Sequence, residues 1–232
     1  MTLWGCWLPV NNYLALAARI GQTPAMDIAT LPRRTQAQRR EESDGRLLAA
    51  AAAIIAEEGY LAATLERVGE RAGFSRGLAG RKYGSKDGLI EAVIRHVSIR
   101  VHAEVDRATA GIADPLERLL ALFDRFVELA EHDVPVRAYF VLFSAMLANR
   151  LETRATFDEI QQRFGDRIEA LVIEAQAAHR IPPALPAQHV AYMIGCLLAG
   201  LAIESAVEAP QVDDPAALRA NIRALLQRAL GG

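Results

Sequence analysis

The strongest constraint on the fold lies in residues 64–86, with the sequence TLERVGERAGFSRGLAGRKYGSK. Apolar residues recur there at helical spacing, which predicts a short helix with a single apolar face. Thr64 is placed to cap this helix and Gly73 to end it. Ser75 is placed to cap a second short helix, which carries several basic side chains. The pattern predicts two helices joined by a tight turn, a helix-turn-helix, although an ordinary helical hairpin with Ser and Gly in its turn remains the alternative.

These residues also carry a family resemblance. Gly59-Tyr60, Thr64, Val68, the run AGFSRG at 72–77, the run YGSK at 83–86 and Leu89 together resemble the DNA-binding domain of the tetracycline-repressor (TetR) family. About a dozen positions match in register, whereas a lone A-G-x-S would carry little weight. The resemblance implies an all-α, dimeric, ligand-gated transcriptional regulator, in most members a repressor.

Composition agrees with an all-α chain. Just over half of the 232 residues are hydrophobic (52%), with Ala and Leu abundant, and strand-like alternation is missing. Residues 33–97 hold 12 Lys and Arg against 9 Asp and Glu, whereas residues 98–232 hold 13 against 18. A positive region suits a phosphate partner and an acidic remainder would stay away from DNA. The asymmetry supports the resemblance.

The sequence predicts no metal, no cofactor and no membrane span. Cys6 and Cys196 offer no disulfide framework and no metal-ligand spacing, which fits a reducing cytoplasm. The five histidines are scattered. The longest apolar run, residues 190–203, is too short to span a bilayer, and we interpret it as a buried helix.

We predict three regions and about nine helices. Residues 1–40 are an extended segment, expected to be disordered and to end in a basic arm; residues 41–97 are the helix-turn-helix domain; residues 98–232 are a bundle for ligand binding and dimerisation. Whether residues 1–25 belong to the mature protein is left open. Helix boundaries follow from caps, glycines and Asp-Pro pairs. The predicted helices outside the motif are 41–58, 85–109, 115–131, 133–149, 152–179, 187–208 and one from 215.

The resemblance assigns DNA contacts to positions of this chain. Base edges are assigned to Arg76, Gly77, Leu78, Gly80 and Arg81, and backbone phosphates to Thr64, Ser75, Lys82, Tyr83 and Lys86. The basic arm adds Arg39 and Arg40, with Arg33 and Arg34 before them, and a solvated tail is the alternative there. Many family members carry an aromatic residue at the position of Gly80 or Arg81, and His-Phe in place of Lys82-Tyr83. The DNA-binding site of this chain is therefore expected to be more positively charged than in those members.

An aromatic-rich set of residues predicts a ligand pocket, with plain core packing as the alternative for each. The set is Phe123, Phe126, Tyr139, Phe140, Phe143, Met146, Phe164, Tyr192 and Met193. The helix at 133–149, which carries four of these residues, is apolar nearly all round, so we expect it to lie at the centre of the bundle. Arg137, Asn149 and His189 are candidates for the polar groups. The expected effector is a largely apolar compound with little or no charge.

A stripe of small residues predicts the dimer interface, with an interior packing face as the alternative. Ala191, Gly195, Ala199 and Ala202 lie on one face of the helix at 187–208 and would let another helix approach closely. Leu218, Ile222 and Leu225 of the last helix are expected beside them. The predicted partners are an inverted-repeat operator, a second copy of the chain and a small effector. Against an all-α enzyme or carrier, we find no nucleophile elbow, phosphate-binding loop or zinc motif, and a helical scaffold protein remains a third possibility.

Overall fold

The computed structural model describes residues 35–149, 152–206 and 213–231. Over these residues the chain forms nine α-helices, one short 3-10 turn and no strand. The predictions for residues 1–34, including Arg33 and Arg34, lie outside the described residues. The helices are α1 (Gln36–Glu58), α2 (Leu65–Arg71), α3 (Arg76–Tyr83), α4 (Lys86–Thr109), α5 (Pro115–His132), α6 (Val134–Asn149), α7 (Arg154–Ala177), α8 (Ala187–Glu204) and α9 (Pro215–Gly231).

Side-chain caps begin several of these helices where the sequence placed them, including α6 at Asp133 and α9 at Asp214. The Thr64 hydroxyl accepts a hydrogen bond from the Arg67 amide, and the Ser85 hydroxyl accepts one from the Gly88 amide. The Asp114 carboxylate accepts two amide bonds at the start of α5, directly before Pro115. Each cap satisfies an amide that the helix itself leaves unpaired. Ser75 has the extended backbone of a cap before α3, but its hydroxyl makes no capping bond.

Glycines end or separate the helices because they adopt left-handed backbone angles. The φ angles of Gly59, Gly73 and Gly111 are 86°, 74° and 77°. A side chain at these positions would be strained, so the chain stops each preceding helix there. These are the three positions at which the sequence predicted helix ends.

Two boundaries differ from the sequence prediction. Helix α1 begins at Gln36, so residues 36–40, which we expected to belong to an extended arm, are helical. The side chain of Gln38 accepts a bond from the Thr35 amide, and the Thr35 hydroxyl accepts one from the Gln38 amide. This reciprocal arrangement is a capping box, a signal that lies in the sequence T-Q-A-Q. Helix α8 ends at Glu204, about one turn before the predicted end.

Residues from Arg40 onwards form one compact unit. Its bundle is organised around α5, which packs against α4, α6, α7, α8 and α9. We expected α6 to be central, and that expectation was wrong. Although α6 is apolar nearly all round, its Val134 and Leu147 are exposed, whereas α5 buries ten residues along most of its length. The apolar composition of α6 therefore did not identify the central helix, because burial depends on how many other helices pack against it.

Helix α8 is long and apolar enough to cross a membrane, judged by length and composition alone. It has 18 residues, more than the run that we judged too short. In the structure Val190, Ile194 and Leu198 bury one of its faces in the protein core, whereas we expected a helix buried as a whole. Outside this face Met193 is 54% exposed, and Tyr192, which is 74% exposed, lies towards the cavity described below.

Candidate functional site

The helix-turn-helix depends on a close approach between α2 and α3. Gly69 is buried, and a Cβ atom there would lie 3.2 Å from the Ser75 carbonyl oxygen. From α1, the Arg46 guanidinium donates a 2.6 Å hydrogen bond to the Ala72 carbonyl and lies 4.5 Å from the centre of the Phe74 ring. These contacts hold the turn against the first helix. Contacts with α1 and α2 therefore fix the position of α3.

Arg76, at the start of α3, is held by two carboxylates of α2. Its Nη1 atom lies 2.9 Å from Glu66 Oε1, and its Nε atom lies 2.8 Å from Glu70 Oε1. The side chain remains 73% exposed, so the guanidinium is at the surface while it is paired. A base or phosphate that binds Arg76 must therefore compete with Glu66 and Glu70.

Asp44 of α1 ties down the end of α3. The Tyr83 hydroxyl donates a 2.6 Å hydrogen bond to Asp44 Oδ1, and Lys82 Nζ lies 2.6 Å from the same oxygen. Burial raises the pKa of the Tyr83 hydroxyl, and the hydrogen bond and negative charge of Asp44 raise it further. Tyr83 therefore remains a neutral donor. The carboxylate fixes the two residues that the sequence assigned to the DNA backbone.

Lys86 begins α4 and is partly desolvated. Its Nζ atom donates a 3.2 Å hydrogen bond to the Leu61 carbonyl and lies 4.0 Å from the centre of the Tyr60 ring. Burial lowers the pKa of the Lys86 amine, and the nearby Asp87 partly offsets this effect. The ammonium still has donors to spare for a phosphate, because it has three hydrogens and Leu61 takes one.

The other predicted DNA contacts lie on or beside the same helices. Arg39, Arg40, Thr64, Ser75, Gly77 and Arg81 are exposed. Leu78 is half-buried and packs against the core, so only part of its side chain is available to a base. The Thr64 hydroxyl already caps α2 through the Arg67 amide. From Arg40 onwards these residues form the candidate DNA-binding surface.

A cavity of about 670 Å³ lies among α4, α5, α6, α7 and α8. Six residues of the predicted pocket line it, namely Phe126, Tyr139, Phe140, Phe143, Phe164 and Tyr192. Phe123, Met146 and Met193 are not among the residues that line it. Phe123 and Met146 are buried in the core, and Met193 is exposed on the outer side of α8. Sequence periodicity placed these residues on the right helices without distinguishing core faces from cavity faces.

The aromatic side chains of the cavity contact one another. The Phe126 ring centre lies 5.3 Å from that of Phe164 and 6.1 Å from that of Phe140. Tyr139 meets Phe140 edge to face at 5.3 Å. Such contacts stabilise beyond the area they bury, so the apolar wall is preformed. Burial raises the pKa of the Tyr139 hydroxyl, which therefore remains protonated.

The polar residues of the cavity differ from those expected from the sequence. Arg137, Asn149 and His189 do not line it, whereas Ser98 and His102 of α4 do. Ser98 and His102 are four residues apart and lie beside the apolar face of α4 that runs through Val97 and Val101. Extending the helical periodicity of that face along α4 would have indicated both residues.

His102 adds no positive charge to this wall. Its Nδ1 atom lies 3.4 Å from Arg167 Nη1, which is always a donor, so Nδ1 must accept and Nε2 carries the hydrogen. Burial lowers the pKa of His102, and the charge of Arg167 lowers it further, against an opposing effect of Asp106. The imidazole is therefore neutral near pH 7.

Two of the four small residues in the α8 stripe face the protein interior. Ala191 and Ala202 are buried within the chain, and Ala191, Gly195 and Ala199 line the cavity. A second copy cannot reach Ala191 and Ala202 in this arrangement, whereas Gly195 and Ala199 are half-buried, and their part in a dimer interface stays a prediction. A helical period identifies a face without identifying what covers it.

Helix α9 attaches to α5 largely through charged pairs. Arg223 lies 2.6 Å from Glu117 and also pairs with Asp124, while Arg219 pairs with Glu131. Its apolar residues remain accessible: Leu218 and Ile222 are half-buried, and Leu225 is 57% exposed.

Among the described residues, no group of three or more His, Cys, Asp or Glu side chains is placed to hold a metal ion. Cys196 is an exposed free thiol that lines the cavity.

Comparison with known proteins identifies the class. Residues 47–93 match the family described as bacterial regulatory proteins, tetR family. The HTH-type transcriptional regulator BetI of Burkholderia mallei (strain NCTC 10229) is 29% identical over 181 residues, which cover 78% of this chain and 90% of the relative.

Solved structures share the fold. A TetR-family regulator from Rhodococcus sp. superposes with a TM-score of 0.65 at 21% identity, over 82% of this chain and 96% of its own. AibR, in a complex with isovaleryl coenzyme A and operator DNA, superposes with a TM-score of 0.64 at 17% identity, over 82% and 98% of the two chains.

The family match over residues 47–93, the BetI relative and the solved structures together support a TetR-family regulator. It shares with these proteins an N-terminal helix-turn-helix and a helical C-terminal part, and its relatives are transcriptional regulators rather than enzymes.

Proposed function

We propose that this protein is a homodimeric cytoplasmic repressor that leaves an inverted-repeat operator when a small, largely apolar effector enters the cavity. One observation carries the proposal: helix α4 belongs to both sites. Its first residue, Lys86, lies at the candidate DNA-binding surface, and Val97, Ser98, Val101 and His102 further along it line the cavity. A ligand that displaces this helix also displaces the helix-turn-helix. AibR, which shares the fold, was solved with both an acyl coenzyme A and operator DNA.

We assign the proposed functions to the predicted regions of the chain. Residues 41–97 read DNA, residues 98–232 bind the effector and the second copy, and α4 is shared. Arg76, Gly77, Leu78, Gly80 and Arg81 are the proposed base contacts, because they lie on the short helix that would enter the major groove. Arginine discriminates strongly because it can donate two hydrogen bonds to a guanine. The phosphate contacts set affinity and register rather than sequence.

Release requires that the effector prefer one arrangement of the two DNA-binding surfaces. A ligand with equal affinity for the DNA-competent and DNA-incompetent arrangements shifts nothing, however tightly it binds. The effector must therefore bind more tightly to the arrangement in which α4 holds the two DNA-binding surfaces at a spacing that does not match the operator. Half-sites read by a two-fold dimer are expected about one helical turn apart, 10–10.5 base pairs, or a multiple of it.

The test is binding of the full-length protein to DNA fragments from beside its own gene, followed by footprinting. The expected result is protection of an inverted repeat and release by apolar compounds. Release only by a dicarboxylate or a sugar phosphate would contradict the proposed effector class. Failure to retain any DNA at low salt would instead favour a scaffold that binds other proteins, because nonspecific phosphate contacts are strongest there.

A further inference from the structure

Lysine is almost absent from this chain. Of its 26 Lys and Arg residues, Lys82 and Lys86 are the two lysines, and all the others are arginines. Both lysines lie at the candidate DNA-binding surface, near the end of α3 and at the start of α4. Arginine stays protonated in proteins, whereas a lysine amine can lose its proton and then act as a nucleophile. Any reaction of a basic side chain with an acylating agent is therefore confined to this surface.

The two lysines have different partners. Lys82 Nζ lies 2.6 Å from the carboxylate of Asp44, and this charge-assisted pair must break before the Lys82 amine can react. Lys86 Nζ instead donates a hydrogen bond to a neutral acceptor, the Leu61 carbonyl at 3.2 Å, and lies over the neutral ring of Tyr60. The Lys86 amine is therefore held less strongly than the Lys82 amine.

Two features of the Lys86 environment favour the neutral amine. Burial lowers the pKa of Lys86, and the charge of Asp87 opposes this effect without cancelling it. Lys86 also lies in the first turn of a helix of 24 residues, where the helix dipole disfavours a positive charge. The hydrogen bond from Lys86 to Leu61 is exposed, so the amine is accessible to a small reagent. Lys86 is therefore the more nucleophilic of the two lysines.

We propose that Lys86 is a modification site, at which an acyl phosphate transfers its acyl group to Nζ and so weakens DNA binding. One ammonium proton passes to water, and the neutral amine attacks the acyl carbon. A C–N bond forms, the C–O bond to the phosphate group breaks, and inorganic phosphate leaves with a second proton from the nitrogen. A surface that attracts DNA phosphates also concentrates a donor that carries a phosphate. The product is a neutral amide, which removes the charge that Lys86 offers to DNA, so this effect rests on the proposed function.

Acetyl phosphate and the full-length protein test the site. Peptide mass spectrometry, with fragment ions that separate the two lysines, gives the acetylation rate of each. Lys86 is expected to react at least about threefold faster than Lys82, because a lower pKa leaves a larger fraction of neutral amine. Asp44→Asn removes the carboxylate partner of Lys82, and it is expected to raise the rate at Lys82 while the rate at Lys86 stays nearly the same.

Charge-preserving variants connect the modification to DNA binding. The affinity for DNA is measured after treatment with acetyl phosphate and, for comparison, after treatment with inorganic phosphate. Acetyl phosphate is expected to weaken DNA binding by the wild type and by Lys82→Arg about five- to tenfold at about 0.1 M salt, the effect of one lost phosphate contact. Lys86→Arg should keep the affinity that it has after inorganic phosphate. Any reaction at the N-terminal amine is common to all three proteins.

Acetylation of Lys82 as fast as that of Lys86, unchanged DNA affinity of the acetylated wild type, or an equal loss of affinity in Lys86→Arg would each overturn the inference. If the untreated protein binds no DNA even at low salt, the proposed function fails instead, and the two acetylation rates still decide whether Lys86 is the site.

Discussion

At the scale of single residues, the ion pairs of Arg76 with Glu66 and Glu70 are expected to compete with DNA binding. Glu66 and Glu70 occupy the guanidinium that DNA would need, and their negative charges oppose an approaching phosphate. Replacing Glu70 with Gln is therefore expected to raise affinity for DNA about two- to fivefold, since exposed ion pairs contribute up to about 1 kcal/mol. Fluorescence anisotropy with labelled DNA measures this change.

The control is Glu57→Gln, which removes a similarly exposed carboxylate that pairs with Arg71 at 2.7 Å. That change should leave DNA affinity nearly unaltered. If Glu70→Gln weakens binding instead, the carboxylate does not compete with DNA but holds Arg76 in its binding orientation.

Lys86 is the residue expected to set affinity without setting sequence. Its amine is already anchored to the Leu61 carbonyl, which leaves it directed at one place on the surface. Lys86→Ala is expected to weaken operator and scrambled DNA alike, and to lower the slope of log K against log salt by about 0.9 for one lost phosphate contact. Titrations at several salt concentrations give the slope. A changed preference between the two sequences would assign Lys86 to base reading.

At the scale of elements, the glycines of the helix-turn-helix fall into two kinds. A Cβ atom at Gly80 would meet nothing within 4 Å, whereas one at Gly69 would meet the Ser75 carbonyl at 3.2 Å. Gly80→Ala is therefore expected to stabilise α3 by about 1 kcal/mol, and Gly69→Ala to destabilise the fold. Denaturant unfolding compares the two variants.

The wild-type recognition helix should also exchange its amides quickly in the free protein, because Gly77 and Gly80 weaken a helix of eight residues. Slow exchange over residues 77–82 without DNA would show that packing against α2 outweighs the glycines. In that case Gly80→Ala would change little.

Helix α4 also contains a pH-sensitive contact. Burial and Arg167 lower the pKa of His102, so the unfolded chain binds more protons than the folded one once the pH falls below about 6.5. Stability is therefore expected to decrease as the pH falls from 7.5 to 5.5. His102→Gln removes this titration and should flatten that part of the profile. Equal pH dependence of unfolding in both proteins would show that other groups cause it.

At the scale of the whole molecule, two substitutions on α8 separate dimer formation from effector binding. Met193 is exposed on the outer face, so Met193→Glu is expected to leave the fold intact and to give monomers with greatly weakened operator binding. Gly195 lines the cavity, so Gly195→Leu is expected to keep the dimer and to lose the response to effector. Sedimentation velocity distinguishes them. Monomers from Gly195→Leu would instead place the interface at the small-residue stripe.

The sequence predicted much of this architecture because its signals are local. Thr64, Ser85 and Asp114 cap helices through bonds to amides two or three residues away, and Gly59 and Gly111 end helices through their own backbone angles. The TetR resemblance identified the motif on the same local basis.

Longer-range features were not predictable from such patterns. The carboxylate partners of Arg76 depend on the crossing of α2 and α3, and the placement of Ala191 and Gly195 depends on which helices cover α8. The central position of α5 depends on five neighbours at once. The sequence therefore indicated which helices hold the candidate sites but not which faces of them.

The length of α4 has a mechanical consequence. Its 24 residues run without interruption from Thr109 to Lys86, which corresponds to about 36 Å. If the bundle end pivots by about 10°, a rigid rod of that length carries its far end through about 6 Å. Two such rods in a symmetric pair would change the distance between their tips by up to twice as much, a large fraction of one turn of DNA. The same pivot displaces the helix by about 2 Å beside His102, about 10 Å from the bundle end, so the movement there is amplified about threefold without any element having to unfold.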